Sequence, residues 1–271
     1  MTPQRHAVIT GAASGIGQAT AQALRAKGFA VTAIDRNDPG EVADRWLPMD
    51  LDDPGVPLPH FDTPIHVLVN AAGLPPRPGA EARVLRVNFL ALRRMTLHLL
   101  PALASGGAIV SMASRAGARW RENIPQVRRL LAQPHDARLE DFVESEGIDP
   151  VRSYDLSKEA VIAWTKAMTG PLIDCGLRMN CVSPAAVDTP ILTDFTAALG
   201  PRATRGIALT RRPGRAGEIA SIIAFLASPE AEWVRGCNIE TDGGLTAQLE
   251  SETIIGADAA SDIPIGAMNR S

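Results

Sequence analysis

Aromatic side chains make up only 4% of the 271 residues, and a single tyrosine, Tyr154, stands among them. Any chemistry that needs a phenol therefore has one address. Cysteine is equally scarce. Cys175, Cys181 and Cys237 are odd in number, scattered and without metal-ligand spacing, which argues against a disulfide framework and fits a reducing compartment. None of the five histidines clusters with other ligands, so no metal is expected. Neither charge sign dominates: 27 Lys and Arg face 30 Asp and Glu, a formal net charge of -3. No general attraction to nucleic acid or to an anionic membrane follows from that balance. No run reaches the roughly 18 uncharged apolar residues of a membrane span. The start, MTPQRHAVIT, has no apolar stretch of signal-peptide length, so the expected location is cytoplasmic.

What the chain does have is alternation. Short apolar runs at 6–10, 30–34, 47–49, 66–69, 108–111, 178–182 and 237–241 read as strands, with helical periodicity near 16–27, 84–100, 157–173 and 216–227. Strand and helix in turn predict a parallel sheet of about seven strands, doubly wound with helices on both faces, in one α/β domain spanning 1–245. Three places depart from this. Residues 52–64 carry Pro54, Pro57, Pro59 and Pro64 and cannot hold a long helix. Residues 117–150 form a polar, Arg- and Glu-rich insertion with a helical patch near 126–132. The tail, 246–271, is expected to be either disordered or an arm that docks on a neighbouring subunit.

The turn Thr10-Gly11-Ala12-Ala13-Ser14-Gly15-Ile16-Gly17 follows the first strand and opens the first helix. Its glycines let the backbone come within contact distance of a pyrophosphate, and the helix N-terminus supplies free N–H groups and a positive dipole end. A Gly-rich turn alone also serves as a plain connection. Here the second strand ends in an acid, Asp35, 18 residues after Gly17, near the spacing expected of a carboxylate that accepts from ribose hydroxyls and repels a 2′-phosphate. NAD is the expected cofactor, with Arg36 as the one cation nearby that would favour NADP.

These residues, with others downstream, resemble the short-chain dehydrogenase/reductase superfamily over nearly the whole chain up to Gly244. Residues Thr10–Gly17 have that family's TGxxxGxG form, and Asn70-Ala71-Ala72-Gly73 resembles its NAAG segment, which steadies the central sheet and the adenine side. The resemblance implies a Rossmann-type fold and NAD bound by Gly11, Ser14, Gly15, Ile16, Gly17, Asp35, the adenine-side pair Asp50-Leu51, Asn70, Ala71 and Gly73. Pro184, Val187 and Thr189 would meet the nicotinamide carboxamide, and Asp242-Gly243-Gly244 matches the motif after the last strand. Ser114, Tyr154 and Lys158 match the catalytic trio, and Asn88 the helix asparagine that holds a water in a proton relay. Within the superfamily the chain looks closest to the branch of coniferyl-alcohol dehydrogenase and 3α-hydroxysteroid dehydrogenase/carbonyl reductase.

Lysine four residues after tyrosine shares one helix face with it. Its ammonium is expected to lower the phenol's value from near 10, so that Tyr154 takes a proton from an alcohol, or returns it to a carbonyl. Ser114 would hydrogen-bond the substrate oxygen. Two departures from the family pattern stand out. Tyr154 lies 40 residues beyond Ser114, about three times the usual separation, which leaves Ser111 as an alternative serine. Ala185 stands where the family commonly has Gly, which puts the loop shape in doubt.

The substrate reading is a bulky or aromatic alcohol or its carbonyl. A sugar or polyol dehydrogenase on the same fold, and a dinucleotide-sensing regulator without turnover, stay open. Trp120 and Phe195 line a hydrophobic pocket or pack in the core. Arg115, Arg119, Arg121, Arg202, Arg205, Arg211, Arg212 and Arg215 either greet an anionic substrate or are solvated. A homodimer or homotetramer is expected. The dimer would be built on the last strand with Trp233 as anchor, leaving the insertion free to border the active site.

Overall fold

Successive strand residues point to opposite faces of a sheet, and both faces here are apolar. In the first strand Val8 enters one core while Ala7 and Ile9 enter the other, all three fully buried. A strand buried on both sides needs helices above and below it, and the computed structural model, which describes residues 4–255, supplies them.

In chain order the elements are β1 His6–Thr10, α1 Gly15–Ala26, β2 Ala30–Asp35, β3 Arg45–Pro48, β4 Ile65–Asn70, α2 Glu81–Leu85, a π-helical turn Arg86–Ala91, α3 Leu92–Leu99, β5 Leu103–Met112, α4 Ile124–Leu131, α5 Leu139–Ser145, α6 Pro150–Ala167 and α7 Thr169–Asp174. After these come β6 Arg178–Pro184, β7 Val187–Asp188, α8 Leu192–Leu199, α9 Pro201–Thr210, β8 Gly214–Arg215, α10 Ala216–Leu226, β9 Asn238–Thr241 and α11 Leu245–Ile255. Seven strands form one parallel sheet in the order β3-β2-β1-β4-β5-β6-β9. The strand order reverses between β1 and β4, and the crevice outside the carboxyl ends of those strands is where such sheets bind ligands. Side chains of α1 and α10 fill the core on one face, and those of α3, α6 and the helices around them fill the other.

Several elements differ from the sequence expectation. The helix expected over 84–100 is interrupted: its middle turn is π-helical, an insertion of one residue into the ladder that tends to accompany functional sites. The helix expected from 157 begins at Pro150, because Asp149 caps it: its Oδ1 accepts from the Arg152 N–H at 2.7 Å and Pro150 fills N1. The helices α8 and α9 and the two-stranded β7–β8 ribbon were not anticipated. Of the tail, Leu245–Ile255 is helical; residues 256–271, the greater part of the expected disordered segment or arm, lie outside the described residues.

The insertion does not border the cleft described below. Its helices α4 and α5 fold down over α2 and α6, burying Val127, Leu130, Leu139 and Phe142. A polar network ties it there. Glu159 on α6, fully buried, accepts a two-pronged bond from Arg152 at 3.0 and 2.6 Å and one from Asn123 Nδ2 at 2.6 Å. Arg152 also donates to Gln126, and Gln126 to Glu146, which Arg129 holds in turn. Removing a buried leucine here should therefore behave as a core mutation. Leu130→Ala is expected to lower stability by about 2–5 kcal/mol, read by denaturant unfolding. A loss under about 0.5 kcal/mol, the range of surface substitutions, would mean that the insertion is not docked.

Candidate active site

Three strand ends make the floor of the crevice. The Gly11 N–H donates to Ile34 O at 2.9 Å, and the Ala71 N–H donates to Thr10 O at 3.2 Å. The Ala72 N–H donates to Thr10 Oγ1 at 3.3 Å. The glycines are required by contact. A methyl on Gly17 would lie 2.0 Å from the Gly11 carbonyl oxygen, and one on Gly11 would lie 2.6 Å from the Ala72 backbone. Ser14, at the N-cap of α1, makes no side-chain cap bond, and the first turn carries no acid. The orphan N–H groups of this helix end face a cradle with room for phosphate.

Asp35, at the end of β2, accepts the Ala13 N–H on Oδ2 and the Asn37 N–H on Oδ1, each at 3.0 Å. One bond on each oxygen leaves both free to accept from a ribose hydroxyl. Arg36 lies 4.0 Å from Asp50, a half-exposed and loose pair.

From this point a cavity of about 470 Å³ runs to the carboxyl end of β5, within the size range of small-molecule sites. Of the residues implied by the resemblance, its wall holds Gly11, Ser14, Gly15, Ile16, Gly17, Asp35, Asp50, Leu51, Ala71, Gly73, Ser114, Tyr154, Lys158, Pro184, Val187 and Thr189. Two stand behind it. Asn70 is buried beneath the cradle, its Nδ2 donating to Thr96 Oγ1 at 2.9 Å and to Ser111 Oγ at 3.3 Å. It fastens β4 to β5 and α3, in keeping with the sheet-steadying role that the resemblance implies for this segment, and is not itself on the cavity wall. Asn88, inside the π-helical turn, donates to Leu74 O at 3.1 Å and Ser157 Oγ at 3.3 Å and accepts the Leu74 N–H at 2.7 Å. Both amide hydrogens are thereby used, leaving one Oδ1 lone pair for a water.

The far end of the cavity gathers the trio. Lys158, one turn below Tyr154 on α6, is buried and donates to Met112 O at 2.9 Å. Gly73 is its close neighbour: a methyl there would lie 3.6 Å from Nζ. The turn after β5 reaches α6 because Gly117 presses on the helix, where a methyl would meet the Lys158 carbonyl carbon and oxygen at 2.7 Å. This contact docks Ser114 beside Tyr154. Ser111 sits inside β5, wholly buried and bonded to Asn70, so geometry favours Ser114. Ala185 causes no conflict: among the described residues only Arg211 has a positive φ outside glycine.

The electrostatics correct one expectation. Burial pushes the Tyr154 phenol up to about 12, and a hydrogen bond with Ser114 works in the opposite direction. Burial likewise pushes Lys158 down to about 8. Lys158 Nζ sits 5.6 Å from the centre of the Tyr154 ring and is engaged by Met112. In the protein alone the loss of water outweighs the help that the ammonium was expected to give.

Phe195 on α8 meets Tyr154 edge-on, 4.9 Å between ring centres, and lines the cavity with Leu192, Leu199, Arg202 and Leu245. Only its pattern of apolar residues at 192, 195 and 199, at helical spacing, would have revealed α8. Trp120 lies outside the cavity, packed on the core with Arg121 over its ring at 4.4 Å. Among the described residues no three His, Cys, Asp or Glu side chains group as a metal site, and no helix is long and apolar enough to cross a membrane.

Known proteins resemble the chain over most of its length. The family model described as "short chain dehydrogenase" matches residues 5–45, and one described as "Enoyl-(Acyl carrier protein) reductase" matches 141–246. Coniferyl-alcohol dehydrogenase of a Pseudomonas species is 35% identical over 88% of this chain and 95% of its own. The 3-alpha-hydroxysteroid dehydrogenase/carbonyl reductase of Comamonas testosteroni is 32% identical over 89% of this chain and 96% of its own. The crystal structure of a 3-alpha-hydroxysteroid dehydrogenase from another Pseudomonas species, complexed with NADH, superposes with a TM-score of 0.74 at 28% identity, covering 91% of this chain and 99% of that one. With alcohol dehydrogenases among its relatives, a seven-stranded parallel sheet and a cleft ending in Ser114, Tyr154 and Lys158, the chain belongs to the short-chain dehydrogenase/reductase family of oxidoreductases.

Proposed function

We propose that this protein is an NAD-dependent dehydrogenase that interconverts a bulky or aromatic alcohol and its carbonyl compound. One observation carries the reading: a single cavity joins a glycine cradle and a ribose-facing carboxylate at one end to a serine, a tyrosine and a lysine at the other. Gly11, Ser14, Gly15, Ile16 and Gly17 would hold the pyrophosphate, Asp35, Asp50 and Leu51 the adenosine, and Ala71, Gly73, Pro184, Val187 and Thr189 the nicotinamide half. The bound nicotinamide supplies the acceptor or donor of the hydride. Tyr154 takes the alcohol proton in oxidation and gives it back in reduction, with Ser114 holding the substrate oxygen. Lys158 holds the nicotinamide ribose and favours the phenolate. Asn88 keeps the Gly73-Leu74 segment and Ser157 in register with α6 and offers its remaining lone pair to a relay water. The apolar wall of Leu192, Phe195, Leu199 and Leu245 suits a bulky substrate better than a polyol.

The cofactor preference rests on Asp35. Two like unit charges 4 Å apart repel by about 1 kcal/mol in bulk water and about 4 kcal/mol near a protein surface. Asp35→Ser, which keeps an acceptor for the Ala13 N–H, is expected to shift kcat/KM from NAD toward NADP by about tenfold or more. Steady-state kinetics with both cofactors check this; a wild-type preference for NADP would reverse the assignment of the carboxylate.

A pH profile follows from Tyr154. Oxidation needs the phenolate and reduction the phenol. With the phenol raised to about 12 before cofactor binds, kcat/KM for oxidation should climb as pH rises from neutrality, while kcat/KM for reduction holds across that range and declines only as pH nears the phenol's value. Parallel profiles in the two directions would contradict Tyr154 as the proton carrier.

Assembly fits a dimer. The insertion already covers α6, whereas Trp233, 92% exposed, and Phe225, 45% exposed, flank the approach to β9. A stable interface there would bury about 800 Å² per subunit. Light scattering of the wild type and Trp233→Ala across a concentration series is expected to show a dimer that the substitution weakens. The three free cysteines suit the reducing conditions of the cytoplasm.

A further inference from the structure

The charges lining the cavity are divided. Its two acids, Asp35 and Asp50, belong to the end proposed for adenosine, while the opposite end carries Arg115 and Arg202 and no acid. Of the other arginines on the wall, Arg77 pairs with Asp194 at 2.5 Å and Arg83 with Asp52 at 2.8 Å, and Arg36 lies at the adenosine end, 4.0 Å from Asp50. Arg202, on α9, gives one arm to Asp155 at 2.7 Å. Arg115 directly follows Ser114. Among the described residues it has no ion-pair or hydrogen-bond partner within reach, and its Nε is buried without an acceptor. A half-buried guanidinium whose Nε is buried without an acceptor is costly, and an acceptor from outside the chain would offset that cost. Burial, and after it the like charge of Arg202, push its pKa downward, while the carboxylates of Asp242, Asp155 and Glu240, none of them bonded to it, act in the opposite direction.

We propose that Arg115 and Arg202 receive a carboxylate carried by the substrate, so that the proposed dehydrogenase acts on alcohols or carbonyls with an apolar body and an anionic end. This rests on the function proposed above. The planar fork of Arg115 matches a carboxylate's two oxygens, and Arg202, on α9, lines the same cavity with one arm engaged by Asp155. Leu192, Phe195, Leu199 and Leu245 pack the body between that anchor and Tyr154. Three other arginines of the sequence cluster are engaged elsewhere: Arg119 pairs with Glu122, Arg121 covers Trp120 and Arg212 pairs with Glu218.

The test compares two probes of one shape, p-hydroxymethylbenzoate and p-hydroxymethylbenzamide, titrated calorimetrically into the NADH-loaded protein. Hydrogen bonds to a charged group contribute enough for the carboxylate to bind about 10- to 100-fold more tightly than the amide. Arg115→Gln should abolish that preference, Arg115→Lys should keep part of it, and Arg128→Gln, on the exposed face of α4, should leave it whole. Tyr154→Phe should also retain it, since the anchor is independent of the proton carrier. Equal affinity for the two probes, absence of binding by both included, overturns the proposal, as does a preference that survives in Arg115→Gln and Arg202→Gln. NADH binding is measured first. If none occurs, the dehydrogenase reading fails by itself, and the same titration of cofactor-free protein still decides whether a carboxylate site exists.

Discussion

Tyr154→Phe is expected to lower kcat by about 10²–10⁴-fold while NADH still binds with wild-type affinity. The substitution removes one oxygen and leaves the ring, which is 7% exposed and held edge-on against Phe195. The fold, the cradle and the apolar wall remain. What disappears is the phenol hydroxyl that would exchange a proton with the substrate oxygen, one helical turn from the buried Lys158. Steady-state kcat together with NADH affinity, measured by fluorescence titration, separates the two effects. A variant that keeps more than roughly a tenth of the activity is outside the range for loss of a general acid–base group and would remove Tyr154 from the reaction. The chain's lack of any other tyrosine makes the result clean, since no neighbouring phenol can take over.

The second large effect is expected from a single methyl in the cradle. Gly17→Ala would bring its Cβ within 2.0 Å of the Gly11 carbonyl oxygen and 2.7 Å of its carbon. Neither is the end of a flexible side chain, so the start of α1 must move off the Gly11 turn. Such overpacking costs about 1–3 kcal/mol in stability. The larger effect falls on the cofactor, because the N–H groups of this helix end would no longer converge on one phosphate. Losing even one hydrogen bond to a charged group weakens binding by about 10- to 100-fold. Gly28→Ala, just past the C-terminus of the same helix, provides the contrast. Gly28 has φ +82 and open space around it, so alanine there strains the backbone by about 1–2 kcal/mol and touches nothing. Thermal melts and NADH titrations of the two variants should show comparable destabilisation with cofactor binding impaired in Gly17→Ala only. Equal NADH affinity in both would mean that the turn does not cradle the cofactor.

The sheet was legible because its strands are short, apolar on both sides and separated by helical periodicity. Every strand expected from the sequence is present within a few residues of its place. The cradle was legible for a different reason: glycine is the one residue that survives at Gly11 and Gly17, so the sequence records the contact directly. Ser114 could be chosen over Ser111 from its place at the strand end, despite a separation from Tyr154 that α4 and α5 now explain. Other features left weaker traces. The π-helical turn at Arg86–Ala91 has the same composition as the helix around it, and no periodicity distinguishes one extra residue. The cap at Asp149-Pro150 has a sequence signature, an Asp followed by Pro, but it is submerged in the polar run of the preceding insertion. That polarity misled a second time. Arg128, Arg129, Glu140 and Asp141 dominate the composition, yet Val127, Leu130, Leu139 and Phe142 decide where the insertion packs. The position of Asn70 and the pKa of Tyr154 depend on burial by residues far apart in sequence, which local pattern does not carry.

The most direct measurement is the appearance of NADH absorbance when wild-type protein and NAD are mixed with a panel of bulky and aromatic alcohols, carboxylated members included. The account predicts NAD reduction with at least one of them, reversed when the matching carbonyl and NADH are supplied. NADH that binds tightly, with no turnover of any alcohol or carbonyl by either NAD or NADP, would contradict it and leave a protein that senses dinucleotide without doing chemistry.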